Sequence, residues 1–496
     1  MNTTLTLTPV QEALAERFGS GTVLLPGPEL NRLLANTSHF DPPPVAGRIR
    51  PGSQEELDEV LAFCRSHQVR VYTYSGGLNW GLGSRLPVQP DCFLLDLGSL
   101  NRILEINTEL RYAVIEPGVT QGMLSRSLAE QNLPLMVNVT GSHPNASLTG
   151  NMLERGSGFL AHRLRDIRGL EVLLADGTRV RSGFWNLEGG ARAVHHFPAG
   201  IGPDWTGLFS QSNLGIVTRA VVSLYPRKEV QKMLWFKAGQ ARLPRLTEVL
   251  ADLYQRQYLF SVTHLGNDKR MKIENQNAGA PALWTGMALI QGSESYVSFL
   301  ESEIPRFLEP LCTSMGFMDE ARARAEGLAE VFGCHTGVPT DYFVRAMYQS
   351  EGATLNPDDW QIDYGRYGML CCLPVLPAGA GNIRATLEIL DSIDRDFGIV
   401  PATTLNPMDD LCLEAVINIY FDREDAEAVE RAHRANNEMI RRFYGQGFRF
   451  YRFDVQAMAQ FLDPANPHWQ LVSRLKNALD PDGLLSPGRY QAAVKS

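Results

Sequence analysis

At 496 residues the chain is long for one hydrophobic core, and 44% hydrophobic with 20% charged residues is the balance of a soluble globular protein. Lys and Arg number 46 against 55 Asp and Glu, a net charge of −9 with no basic run or stripe, so neither nucleic acid nor an anionic membrane is expected as partner. Seven cysteines without CxxC spacing and ten histidines without HxxxH or HExxH argue for reduced thiols in a cytoplasmic protein and against a metal centre.

The first 19 residues have no basic n-region and no continuous apolar core, so they read as neither a secretory signal nor a membrane span. Thr8-Pro9 followed by Val10, Leu14 and Phe18 predicts a capped amphipathic helix instead. Ser53-Gln54-Glu55-Glu56 reads as a capping box opening a helix through Leu57, Val60, Leu61 and Cys64. That helix feeds a short strand at Val69–Tyr72. Strands are expected at CFLLDL, RILEIN and YAVIEPG, a helix from Thr120 to about Asn132, and a hairpin turning at Asp176-Gly177. GIVTRAVVSLYP is a further strand.

From about Lys228 the texture changes. Helical stretches around 299–315, 318–331, 381–397 and 423–444 are separated by strand-like YGMLCCLPVLP and LCLEAVINIYF. This alternation predicts an α+β unit with helices on one face of an antiparallel sheet, in which Cys371-Cys372 lies on a buried strand. The tail forms a helix stopped at Asp480-Pro481.

Four small-residue segments stand out. SGGLNWGLG at 75–83 follows the strand at Val69–Tyr72, where bare backbone lets N–H groups approach a ligand without Cβ interference. It fits neither GxGxxG nor a Walker A sequence. The others are EPGVT at 116–120, GSHPNASLTGNMLERGSG at 141–158 and GLFSQSNLGIVTRAVV at 207–222. With HHFPAGIGP at 195–203 and ALDPDGLLSPGR at 478–489, their order and spacing resemble the vanillyl-alcohol oxidase/p-cresol methylhydroxylase superfamily of FAD enzymes over nearly the whole chain.

The resemblance implies an α+β protein of two parts. A p-cresol-methylhydroxylase-type FAD-binding domain of two α/β subdomains covers residues 1–227, with a C-terminal return at 449–496. An α+β substrate-capping domain with an antiparallel sheet covers 228–448. It implies that the first glycine loop, Ser75, Gly76, Gly77, Leu78, Asn79, Gly81, Leu82, Gly83 and Ser84, wraps the FAD diphosphate. Pro117, Ser142, Gly150, Asn151, Arg155, Gly156, Gly215, Ile216, Val217 and Arg489 complete the expected cofactor contacts.

The members nearest in pattern bind para-substituted phenols as phenolates and pass hydride from the benzylic carbon to flavin N5, leaving a quinone methide. Tyr451-Arg452 match the family's tyrosine–arginine pair and are the expected anion site. Other positions depart. The family's second phenolate tyrosine falls at Leu82, a third aromatic at Phe159, and the acidic residue beside N5 at Ser142, with Ser142 itself or the adjacent His143 as the candidate base in its place. Met369 stands where a flavin-linked histidine is expected; Tyr364, Tyr367, Cys371 and Cys372 are nearby alternatives, and a dissociable FAD is equally compatible. Leu78 occupies a position where distant relatives carry a linking histidine, and Trp80 has no role beyond packing.

The expected function is therefore FAD-dependent oxidation of a para-substituted phenol, with dioxygen or another electron acceptor. One alternative is oxidative decarboxylation of a hydroxyaryl acid in secondary-metabolite biosynthesis; another is a flavin-binding homologue without catalysis. Family likeness suggests a homodimer.

Overall fold

The protein is described by a computed structural model covering residues 8–187, 192, 194–274, 283–350 and 361–492. Local chemistry sets the first elements. Helix Pro9–Thr22 starts where the Thr8 hydroxyl accepts the Gln11 N–H and the Gln11 side chain accepts that of Thr8. Helix Gln54–Ser66 is capped by Ser53, but the reciprocal half of the expected capping box is missing. The Glu56 carboxylate accepts instead from Gly52 N–H and the Thr22 hydroxyl, tying the two helices together.

Strands Val45–Ile49, Cys92–Asp96 and Val71–Tyr74 pair in parallel, with Val23–Leu24 antiparallel at the edge. Cys92–Asp96 is buried at every position, as a parallel strand covered on both faces requires. A second, antiparallel sheet runs in the order Ile103–Asn107, Tyr112–Ile115, Ile216–Ser223, Ile167–Leu173 and Arg179–Arg181. Its hairpin turns at Asp176-Gly177, where Gly177 has a φ of +91° that a side chain would strain.

The largest sheet has nine strands, all antiparallel. Its path is Ser314–Met318, Val230–Gly239, Leu283–Gly292, His264–Asn267, Ala402–Pro407, Cys412–Asp422, Pro374–Pro377 and Arg449–Phe450. Tyr367–Cys372 also pairs with Cys412–Asp422 and carries both adjacent cysteines, buried and free. Helices Leu243–Gln255, Glu294–Leu308, Ala380–Phe397 and Ala426–Gly445 pack side by side, and their buried stripes join this sheet in one apolar cluster. Two helical expectations need correction. The stretch 299–315 belongs to helix Glu294–Leu308, after which Ser314–Met318 pairs with Val230–Gly239 as an edge strand. The stretch 318–331 is two short helices, Glu320–Ala325 and Ala329–His335, separated by Gly327 at φ +74°. Among the described residues no helix is long and apolar enough to cross a membrane.

One buried ion pair fastens the glycine loop to the large sheet's surroundings. Arg85 meets Asp363 at 2.7 Å, with 2% and 0% of the two side chains exposed. Asp363 also accepts from the Thr37 N–H at 2.9 Å and the Ser84 hydroxyl at 2.6 Å, and Arg85 donates to the Leu33 carbonyl. Enclosing two charges costs several kcal/mol per ion, which this full set of hydrogen bonds offsets. Asp363→Asn, which leaves Arg85 charged and unpaired, is expected to cost about 3–5 kcal/mol. Thermal or urea unfolding measures this, and an unchanged midpoint would contradict the role assigned to the pair.

Candidate active site

The loop after Val71–Tyr74 divides into two halves with different work. Among the described residues no acceptor takes the N–H groups of Gly76, Gly77, Leu78 or Asn79. These four residues line a cleft of about 1080 Å³. In the second half the donors are already taken. Gly81 N–H donates to the Thr37 hydroxyl and Gly83 N–H to the Ser38 hydroxyl, each at 2.9 Å, while Leu82 and Ser84 donate to the Asn79 carbonyl. Gly81 and Gly83 do not line this cleft. Their φ values of +77° and +96° shape the turn, and a Cβ at Gly81 would overlap the Cys371 sulfur.

The cleft's remaining walls come from three places. Ser147 caps helix Leu148–Leu153 and donates to the Pro117 carbonyl at 2.6 Å, holding Gly150 and Asn151 toward the space. Gly215 and Val217 line it at the start of Ile216–Ser223, whereas Ile216 points into the core. Arg489 lines it too, donating to the Tyr72 hydroxyl at 2.7 Å and to Glu154. Arg155 does not line this cleft. Asn151 is held instead by Arg163, fully buried against Asp166 at 3.0 Å, an ion pair that looks like ordinary surface charge in HRLRD.

A second cavity of about 1390 Å³ adjoins the first, and Leu78, Asn79, Ser142, Asn151 and Arg452 line both. Tyr451 lines the second, in an apolar corner with Leu82, Cys371 and Leu373. Its backbone is pinned by N–H donation to the Leu373 carbonyl and acceptance from Gln211 at 2.6 Å. Burial, reinforced by the Glu414 charge, pushes its hydroxyl well above the usual tyrosine range, so it stays a proton donor at neutral pH. The Arg452 guanidinium donates to the Asn79 side-chain oxygen, while its Nε is enclosed without a protein partner. Ser142 sits 2.7 Å from the Thr140 hydroxyl at the shared wall. His143 lines neither cavity: its Nδ1 accepts the Asn145 N–H and burial lowers its basicity.

The floor of the second cavity is the nine-stranded sheet. Met369 and Cys371 face it from one strand, Asn418 and Tyr420 from the next, then Thr404 and Asn406, then His264 and Gly266. Phe159, His335 and Phe343 close the far end, where Phe159 stacks on His264 with ring centres 4.2 Å apart. The two histidines carry no local sequence signal. Gly156 lines this cavity, and a Cβ there would strike the Asn151 side chain.

Residues 45–183 match the FAD binding domain family model. The chain is 30% identical to 1'-carboxy-chondrochloren decarboxylase of Chondromyces crocatus, over 97% of both proteins. It belongs to the vanillyl-alcohol oxidase/p-cresol methylhydroxylase family of FAD-linked oxidoreductases. It is also 27% identical to the 4-cresol dehydrogenase [hydroxylating] flavoprotein subunit of Pseudomonas putida, over 88% of this chain and 85% of that one. The fold matches p-cresol methylhydroxylase with substrate bound at a TM-score of 0.88 and 22% identity, covering 98% of each chain. For the isoeugenol complex of 4-ethylphenol oxidase from Gulosibacter chungangensis the TM-score is 0.85 at 23% identity, again over 98% of each. Like its relatives, the protein is an FAD-dependent enzyme.

The first cleft fits FAD. It offers four untaken backbone N–H groups, and the buried hydroxyls of Thr73 and Thr149 on its wall have no protein partner. Neutral fixed donors suit a diphosphate because no counter-ion has to be desolvated. Met369 lines the second cavity where family likeness places a linking histidine, and a thioether cannot form that bond. Cys371 lines it also, but its thiol donates to Asn418 and burial pushes its pKa up to about 12, leaving it un-ionised. Cys372, Tyr364 and Tyr367 do not line either cavity.

The two kinds of glycine have different expected phenotypes. A Cβ at Gly150 would lie 2.5 Å from the Ser75 hydroxyl in the cleft wall, so Gly150→Ala is expected to cut the FAD content of purified protein. Gly81→Ala is expected instead to lower the thermal midpoint of holoenzyme and apoenzyme alike. Flavin absorbance and differential scanning calorimetry separate the two; equal effects of both variants on flavin content would contradict the division of the loop.

Proposed function

We propose that the enzyme oxidises a para-substituted phenol or related hydroxyaryl compound, held as its phenolate by Tyr451 and Arg452. The observation that carries this is Arg452. It is fixed by Asn79 on the wall shared by the two cavities, has an unpartnered Nε, and stands next to a tyrosine held in its protonated form. A phenol with the ordinary pKa of about 10 must be shifted by about three units to ionise near pH 7, roughly 4 kcal/mol. One charged and one neutral hydrogen bond, roughly 1.5–3 and 0.5–1.5 kcal/mol net, bring that within reach in an enclosed site.

With the phenolate held, electron density from its oxygen drives hydride out of the benzylic carbon and leaves a quinone methide. FAD, when bound in the first cleft, would supply the two-electron acceptor for that hydride, with dioxygen or another oxidant as the final acceptor. Met369 and the un-ionised Cys371 support a dissociable rather than a covalently linked cofactor. In this reading residues 1–227 and 449–496 bind FAD and 228–448 form the cap; eight of the nine-stranded sheet's strands, from Val230 to Asp422, fall within the cap, and the ninth, Arg449–Phe450, comes from the C-terminal segment. The cap keeps water from the site, strengthening both anion contacts.

A second reading is favoured by what the cavity wall lacks. Among the described residues lining the second cavity there is no Asp or Glu. Water addition to a quinone methide releases a proton that a carboxylate would take, and neither Ser142 nor His143 supplies that base. Oxidative decarboxylation needs none: after hydride loss the C–C bond to a substrate carboxylate breaks, its electron pair restores the aromatic phenolate, and an alkene and CO2 leave. The decarboxylase relative matched over 97% of both chains supports this route.

Anaerobic mixing of holoenzyme with 4-ethylphenol is expected to bleach the flavin absorbance, and Arg452→Met to slow bleaching by about 100-fold or more. Full-rate bleaching by the variant would overturn the anion site. With 3-(4-hydroxyphenyl)propanoate, alkene and CO2 are expected on the second reading, and a product that keeps its carboxylate eliminates it.

A further inference from the structure

The far end of the second cavity is furnished in a way that a simple phenol does not use. His335, on helix Ala329–His335, is 1% exposed, and His264 faces it from strand His264–Asn267 with ring centres 5.5 Å apart at 89°. Phe159 lies against both rings, stacked on His264 and edge-on to His335 at 4.8 Å. The Nδ1 atoms of both histidines are enclosed without a protein partner. A buried imidazole is usually locked into one tautomer by a hydrogen bond on its second nitrogen; the Val262 backbone does this for His264, whereas His335 has no such bond. His335 can therefore present an N–H to a ligand in the cavity. Two adjacent polar rings in an aromatic pocket, held at the expense of unsatisfied nitrogens, are poor packing and good recognition chemistry.

We propose that this end, walled by Phe159, His264 and His335, is a subsite for a carboxylate carried on the para substituent of the substrate. The inference rests on the hydroxyaryl reading above and deepens it by naming the substrate as a hydroxyaryl acid. Three features select a carboxylate. Arg270 lines the same cavity, donating to the Tyr420 hydroxyl at 3.1 Å, and its charge adds to burial and to His335 in holding His264 neutral. Burial lowers His335 to about 3, so its ring acts as a neutral donor rather than as an ion, beside a His264 ring that burial also keeps neutral. No Asp or Glu among the described lining residues opposes an anion.

The test uses FAD-loaded enzyme and 4-hydroxycinnamate, which has no benzylic hydride to give up, with its methyl ester and 4-vinylphenol as partners. Dissociation constants come from perturbation of the oxidised flavin spectrum. The acid is expected to bind at least tenfold more tightly than ester or vinylphenol. His264→Leu and His335→Phe are each expected to abolish that preference while leaving 4-vinylphenol affinity within twofold. His335→Gln, which keeps a donor and guards against misfolding of the Phe variant, is expected to restore part of it. Equal binding of acid and ester, or a preference that survives both histidine substitutions, overturns the subsite. Binding of 4-vinylphenol that is indifferent to Arg452→Met sinks the hydroxyaryl reading itself, so the two failures are told apart.

Discussion

The hydrogen bond between Arg452 and the Asn79 side chain joins the parts of the molecule that matter for chemistry. Asn79 belongs to the glycine loop whose first N–H groups face the first cleft, and Arg452 follows the strand Arg449–Phe450, which brings Tyr451 to the nine-stranded sheet. The contact spans 373 positions of sequence and sits on the wall common to both cavities. A guanidinium left free at that point would have many rotamers; fixed by a carboxamide, it is pre-organised for an anion. The glycine loop thus also fixes the direction of this guanidinium.

Holding the loop still demands support from outside it. Thr37 and Ser38 occupy the N–H groups of its second half, and Asp363 grips Ser84, Arg85 and Thr37 together. The buried Arg85–Asp363 pair is a costly way to gain stability but a good way to fix register, because a shifted loop would leave a charge unpaired. Around the second cavity the balance of charge is one-sided: arginines and neutral donors face inward, and carboxylates stay out of the described wall. That balance favours a bound anion over a bound cation.

Much of this was legible in local sequence. Thr8-Pro9, Ser53 and Thr120 mark helix starts that the structure shows, and Asp176-Gly177 marks its hairpin. The order of glycine segments pointed to the family, and Tyr451-Arg452 do lie together on the cavity. What escaped was everything set by long-range pairing. Nothing in SGGLNWGLG says that its first glycines bare their donors while Gly81 and Gly83 serve the turn and its packing. Trp80, unexplained from sequence, walls the second cavity and packs on Val344 and Ile362. His264 and His335 are single residues on a strand and a helix far apart in the chain, and only the sheet brings them face to face. The expected helical stretch 299–315 runs over Ser314 and Met315, which instead open the strand Ser314–Met318 because Val230–Gly239 offers it an edge.

The central claim is that the site binds its substrate's hydroxyl as an anion. The most direct measurement is the ultraviolet difference spectrum of oxidised holoenzyme at pH 7 with a bound 4-substituted phenol whose free pKa is near 10. The Tyr451–Arg452 site predicts the phenolate absorption band in the wild-type complex and its loss when Arg452 is replaced by Met. A wild-type complex that shows only the neutral phenol band would contradict it.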